Sequence, residues 1–534
     1  MPVVFAMSDG IRIFAGEIRM KKTSDNMSED RLIDVIDCMV KVCKWAFLQV
    51  VVYFLMPYLW NYGYAVGLLS LMLLYTVAYA IYGKVVSRDK MVRRLYLPYL
   101  AYLAVGGVLH CAIDRFVPSL WTMLLLPLYG ATCFVSYRFF RRFLHRMRER
   151  YKRGSLLSYL VLVLVFVGLK LSGVCWSRAV DGTPEGEKVD VMERRDYLSG
   201  KLLVSPQAVL DAMPSAIGAQ FQGEWALYSC SMLSASLLNI SHLYPETKAD
   251  NLQCVDQLIR IVMSPEIRRY DAQRWGEDPL ETLGGDKSHV SYISHLAWMI
   301  CNYKELGGDG RYDELLGVLC ATMNRRILDS EALNLPTYPG ELIYVPDMLV
   351  AIVALNKYAD MYDGKYRSTV RQWMSMAKKY WHDEDTGLLV SSLMEDGGQV
   401  DGYPVKGSYS ALNCYYLTLI DESYAREQYL KLKSKYWRGG VLPGLKEYRD
   451  RPLFIGPDID AGVIFFGLSP SGTAFLAGPA TYFGDTEVSR DILTTAELAG
   501  HTIRFGDKRH YLLADVALVG EAIMLAMRTH IAGD

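Results

Sequence analysis

Along the first 175 residues the apolar positions run in long blocks, and beyond residue 205 they recur with a helical period. Nowhere does a two-residue alternation persist. The blocks cover 45–60, 64–82, 97–113, 120–137 and 156–174. Each is about 16–20 residues long, near the ~20 that cross a ~30 Å hydrocarbon core, and together they predict five transmembrane helices. Gln49 and Pro57 make the first the weakest, and Asn61-Tyr62-Gly63 turns it into the second. Trp45, Trp60 and Tyr64 fall where interfacial aromatics belong.

The helical pattern resolves into twelve segments beginning near Gln207, Glu224, Glu246, Ser288, Arg311, Val345, Tyr366, Ser408, Glu422, Ala461, Glu487 and Tyr511. Even-numbered members are the more apolar and odd-numbered members the more charged. That alternation predicts an inner ring shielded by an outer one, an all-α (α/α)6 barrel, or toroid, following the five transmembrane helices. The expected domains are a cytoplasmic segment 1–40, a membrane domain 41–175, a linker 176–204 and the barrel 205–534. Connections from inner to outer helices are short, whereas those from outer to inner span 264–287, 329–344, 382–407 and 438–460. Loops beyond ~12 residues in a compact domain usually carry function, and all of these would open at one end, over inner-helix N-termini.

Composition then narrows the functional classes. Hydrophobic residues make up 51% of 534 while charged residues make up 22%, the average of a membranous and a globular population. Lys plus Arg number 57 against 58 Asp plus Glu, a balance that argues against nucleic acid as a partner. Basic residues gather in two loops, Lys84 to Arg94 and Arg138 to Arg153, which puts both loops and the N-terminus in the cytoplasm. Five spans then place the barrel outside. The expected location is a bacterial-type inner membrane, multi-pass. The first fifteen residues lack the basic start and long apolar run of a signal peptide. No C-x-x-C pair, P-loop, Gly-x-Ser-x-Gly elbow or dinucleotide fingerprint occurs, so neither cofactor nor metal is expected. Cys230, Cys254, Cys301, Cys320 and Cys414 fall within helices and are expected as mostly buried free thiols.

Candidate chemistry lies in the long loops, where carboxylates, tyrosines and Gly or Pro recur. Trp275, Glu281 and Asp286 occupy the first, Tyr338, Glu341, Tyr344 and Asp347 the next, Tyr403 the next and Asp458 and Asp460 the last. A carboxylate beside an aromatic in a partly buried cleft is suited to general acid or base work. Asp286 and Asp460 also suit helix N-caps. Asp347, after Pro346, is expected in the first turn of a helix whose dipole favours its ionised form, as the base. Glu341, between Tyr338 and Tyr344, is expected as the acid. His295 is one or two turns into an apolar helix and faces the loop end, while His289 is expected to be exposed.

From residue 224 to 532 the chain resembles the linalool dehydratase/isomerase family. The resemblance is carried in order by 275–281, 294–299, 311–316, 335–355, 366–373 and 408–411. It implies an (α/α)6 barrel and a hydrophobic pocket lined by His295 and Tyr409. Two cysteines of that family have no counterpart here; Tyr338 and Asp347 stand near their places. The resemblance implies a lyase or isomerase acting on an isoprenoid-like alcohol. The residue types alone fit a glycosidase or polysaccharide lyase using paired carboxylates, with Trp275, Tyr338, Tyr344 and Tyr403 to stack on sugar. A non-catalytic binding or assembly protein is the third reading. Expected partners are a small-molecule or lipid-linked substrate and the lipid bilayer, with homo-oligomer formation left open. An apolar pocket wall would favour the first reading, an aromatic wall with carboxylates the second, and a filled barrel the third.

Overall fold

A computed structural model describes residues 184–213, 219–440, 442–452, 454–458, 460–500, 502–511, 514 and 518–532. The five expected spans, the N-terminal segment and the loops that set the topology lie outside the described residues. Among the described residues no helix is long and apolar enough to cross a membrane.

The described domain is all-α and α/α-barrel-like, with strands of only two to four residues. Helices α3 (Ala219–Leu243), α6 (Val290–Glu305), α8 (Val345–Met361), α10 (Gly407–Thr418), α12 (Pro470–Tyr482) and α14 (Leu518–Arg528) each pack on the next, and α14 returns to α3. The ring is closed. Around it lie α1 (Pro184–Leu202), α4 (Lys248–Val262), α7 (Asp313–Asp329), α9 (Arg367–Tyr380), α11 (Glu422–Tyr436) and α13 (Thr486–Gly500). Two shorter helices, α2 (Pro206–Asp211) and α5 (Pro265–Trp275), sit in the first two long connections.

The inner members are apolar nearly all round because they are covered on both sides. In α8, every residue from Met348 to Leu355 is buried. Outer members bury one stripe, as α9 does with Thr369, Val370, Trp373, Met374 and Ala377 at i, i+3/i+4 spacing. Trp373 is fully buried and its indole N–H donates to Asn334 Oδ1 at 2.9 Å. Truncating it to alanine would cost about 3–5 kcal/mol.

Three expectations about the fold need correction. Residues 184–202 do not form a linker: they are α1, the outer helix of the first pair, and the segment at Gln207 is only the six-residue α2. Helix α1 escapes an apolar count because Asp190, Glu193 and Arg194 are buried among Val191, Tyr197, Leu198 and Leu202. Arg194 pairs with Asp190 at 3.0 Å and Glu521 at 2.8 Å, and Arg509 pairs with Asp190 at 2.8 Å and Glu193 at 3.0 Å. Arg528 reaches Glu187 at 2.6 Å, so this network ties α1 to α14. Burial opposes ionisation of Asp190, but Arg528, Arg194 and Arg509 outweigh it and hold its carboxyl well below the usual range. Second, α12 starts at Pro470 rather than Ala461. The residues between form a hairpin, Gly456–Asp458 (β5) against Gly462–Ile464 (β6), in which Gly462 takes a φ of +79°. Third, Tyr511 ends a strand, Lys508–Tyr511 (β8), paired with Thr502–Phe505 (β7). The five cysteines expected in helices are free, and all but the partly covered Cys254 are buried.

Candidate active site

The long connections open at the N-terminal ends of α3, α6, α8, α10 and α12, and three of those helices bring carboxylates or their partners to one place. Helix α8 begins after Tyr344, whose side chain makes no cap, with Pro346 in the first turn. Asp347 follows, but its carboxylate turns away from its own helix. It accepts from Thr337 Oγ1 at 2.6 Å and from Tyr228 Oη at 3.2 Å. Asp347 stands in the first turn as expected, but burial there outweighs the helix dipole and the ionised form is not the favoured one. Burial pushes its carboxyl up to about 6, partly offset by the two hydroxyl donors and reinforced by Asp460 and Glu341.

Tyr228 lies on α3 one turn beyond Glu224. Glu224 is pushed up to about 7, first by burial and then by the charge of Asp347, against the pull of Tyr338 and Arg274. Gly223 lets this end of α3 sit against α5: a Cβ there would meet the Tyr270 ring at 2.7 Å. Tyr270 in turn hydrogen-bonds Ser291 at 3.2 Å, fixing α5 against α6.

His295 is on α6, fully buried, with Nδ1 2.7 Å from Ser231 Oγ and its ring 4.4 Å from that of Tyr228. Burial pushes its imidazole down to about 3, so it is neutral. Tyr338 is buried under the Arg274 guanidinium, which sits 3.8 Å from its ring centroid and reaches Glu341 at 3.0 Å. On the opposite side, Lys406 bridges Asp458 at 3.0 Å and Asp460 at 2.9 Å while lying 5.3 Å from the Tyr409 ring. For Asp458, burial is outweighed by the Ala461 N–H and by Lys406, which hold it below the ordinary carboxylate range. Tyr344 meets Tyr409 edge-on at 6.0 Å, brought there by the two-residue pairing of Ile343–Tyr344 (β1) with Ser392–Leu393 (β2). Tyr403 is partly buried and feels the charges of Lys406, Asp460 and Asp458.

Of the residues expected from sequence, His295, Tyr338, Asp347, Tyr344, Tyr403, Tyr409, Asp458 and Asp460 converge on this mouth. Glu341 is not enclosed: it is on the rim, 39% exposed and ion-paired with Arg274. Asp286 is 98% exposed, pairs with Arg325 and caps nothing, because α6 starts at Val290 behind His289. Asp460 likewise precedes β6, not a helix, and is a partner of Lys406. Glu281 is 75% exposed beside Arg268. Trp275 packs on His289, whose ring is 5.4 Å away. His289, expected at the surface, is buried against Asp271 and fixes the loop beneath Trp275.

Glu224, Tyr228, Arg274 and Lys406 were not expected. A signal for the first two was present: Glu224 is the one carboxylate of α3, and Tyr228 and Ser231 follow it at i+4 and i+7 on the same face. The arrangement raises both carboxyls by burial, Glu224 to about 7 and Asp347 to about 6, in a mouth walled by tyrosines.

No protein-family model matches the chain, and no curated protein matches it. Among solved structures it is similar to an unsaturated glucuronyl hydrolase specific for heparin, with a TM-score of 0.41 and 9% identity over 63% of this chain and 96% of that one.

Proposed function

We propose that the domain is a complete (α/α)6 toroid and a carbohydrate-active enzyme of the glycosidase type. Glu224 is its general acid and Asp347 its base or nucleophile. The observation that carries this reading is the pair itself: two carboxyls sharing one enclosed mouth, at about 7 and about 6, with Tyr228 and Thr337 holding the second. Glu224 protonates the leaving oxygen of a glycosidic bond. Asp347, its oxygens oriented by two hydroxyls, either takes a proton from water or attacks the sugar carbon. The wall of tyrosines and charged side chains suits a hydroxylated substrate better than a terpene.

The test is product analysis on free and lipid-linked oligosaccharides with the wild type, Glu224→Gln and Asp347→Asn. Each variant should lose about 10²–10⁴-fold in kcat with the fold retained. Cleavage surviving in both would refute the assignment.

The hydro-lyase reading keeps one supporting observation, a buried neutral His295 adjoining Tyr228. Water loss from isoprenoid alcohols, with oligosaccharides untouched, would select it. On either reading the five-span topology would present the barrel outside the cytoplasm, beside a bilayer carrying lipid-linked substrate.

A further inference from the structure

The long connection between α11 and α12 ends in the hairpin of β5 and β6, whose two faces differ. Ile464 is fully buried, whereas its chain neighbours Val463 and Phe465 are 65% and 51% exposed. Ile455 and Phe466, which flank the ribbon, are 56% and 43% exposed. Eleven large apolar side chains stand out into solvent among the described residues, and four of them belong to this one hairpin and its flanks. Single exposed apolar groups are ordinary, but a cluster of them marks a contact surface.

The display is built into the backbone. Phe466 has a φ of +48°, a conformation that bulky residues rarely adopt, and Gly467 follows at +76°. A Cβ at Gly467 would meet Pro452 O at 2.6 Å, so the turn has no room to relax. Gly467 N–H donates to Phe454 O at 2.7 Å, and its carbonyl accepts from Glu447 N–H at 2.9 Å. The two phenyl rings meet edge-on at 4.4 Å. At the other end of the ribbon, Asp458 and Asp460 hold Lys406, which fixes the hairpin to the rim of the mouth.

Cations border the apolar face. Arg438 Nη1 donates to Phe466 O at 2.7 Å, Lys446 pairs through its backbone with Leu468, and the Arg451 guanidinium lies 5.3 Å from the Tyr448 ring. None of the three forms an ion pair among the described residues. The acids of the same stretch are engaged: Asp450 with Arg449, Asp458 and Asp460 with Lys406, and buried Glu447 with Ser408. Exposed aromatic and branched side chains edged by unpaired basic groups match the boundary between anionic headgroups and acyl chains.

We infer that this hairpin is a membrane-surface contact, with Ile455, Val463, Phe465 and Phe466 entering the interfacial layer of an anionic bilayer. Arg438, Lys446 and Arg451 then meet lipid phosphates. The contact is independent of the glycosidase reading; combined with it, the mouth opens beside the headgroups, where a lipid-linked substrate would lie.

The experiment uses the full chain in vesicles of phosphatidylcholine and phosphatidylglycerol in equal amounts. The photo-crosslinker p-benzoylphenylalanine replaces Phe465, Val463 or, as the control, Leu430, which is exposed on α11. After irradiation, intact mass identifies phospholipid adducts and gel electrophoresis identifies covalent dimers. Expected are phospholipid adducts at positions 465 and 463 and none at 430. The yield at 465 should fall about fivefold with Arg451→Gln, and further in phosphatidylcholine alone. Equal adducts at 465 and 430, a yield indifferent to both Arg451→Gln and lipid charge, or no adduct at 465 and 463 would overturn the contact. Covalent dimers without lipid adducts would also overturn it, and would assign the face to a second copy of the chain. Each of these failures leaves the Glu224–Asp347 pair and its reading untouched.

Discussion

Replacing Glu224 by glutamine should stabilise the protein while disabling it, and the size of the gain follows from where the carboxyl sits. In the unfolded chain its proton leaves near 4.5; in the folded barrel burial and Asp347 retain it to about 7. Below pH 4.5 the group is neutral in both states and costs nothing. Between 4.5 and 7 the unfolded state gives up its proton first, so stability falls as pH rises. Above 7 the folded protein holds a buried charge at a full cost of about 3 kcal/mol. Glutamine keeps the shape and a hydrogen-bonding oxygen but never ionises. For a domain this large, thermal unfolding of the full chain in detergent should show Glu224→Gln melting on the order of 5 °C above wild type at pH 8. The two should converge by pH 4. A difference that stays flat with pH, or a variant less stable at pH 8, would refute the claim that Glu224 is an enclosed, charge-burdened acid.

Asp347→Asn should show the same sign over a lower window, from about 3.8 to about 6, and any kcat profile of the wild type should lose its acid limb in this variant. Arg194→Leu leaves Asp190 and Glu521 short of a buried partner and should cost about 3–5 kcal/mol, read as a lowered Tm with the same far-ultraviolet circular dichroism. Reporter fusions after Gly83, Gly154 and Gly182 should report inside, inside and outside. A cytoplasmic signal at Gly182 contradicts the five-span topology.

The barrel's helices were legible where burial and apolarity coincide. Helices α6 and α8 could be placed from sequence because almost every residue in them is covered. Helix α1 could not, because Asp190, Glu193 and Arg194 interrupt its apolar inner face, and their partners Arg509, Glu521 and Arg528 lie over 300 residues away. Loop lengths placed the long connections over the N-terminal ends of the inner helices, where they are found. They also point to Glu341 as the acid, whereas that side chain is met by Arg274 at the rim. Glu224 marks the start of a helix in the sequence, and what raises its carboxyl is burial together with the charge of Asp347, which arrives from a distant loop. Periodicity reports which face is covered; it does not report which charges share a cover.

The closure of α14 on α3 and α1 also sets a schedule for synthesis. Arg194 meets Glu521 across 327 residues, so the ring stays open until α14 leaves the ribosome. At about 5–20 residues per second, that interval is on the order of half a minute. Throughout it, the oily inner faces of α3, α6 and α8 have no final neighbour, which makes the nascent chain a client for chaperones. Deleting Leu518–Arg528 would take out one helix, yet leave every earlier turn of the circle unsealed.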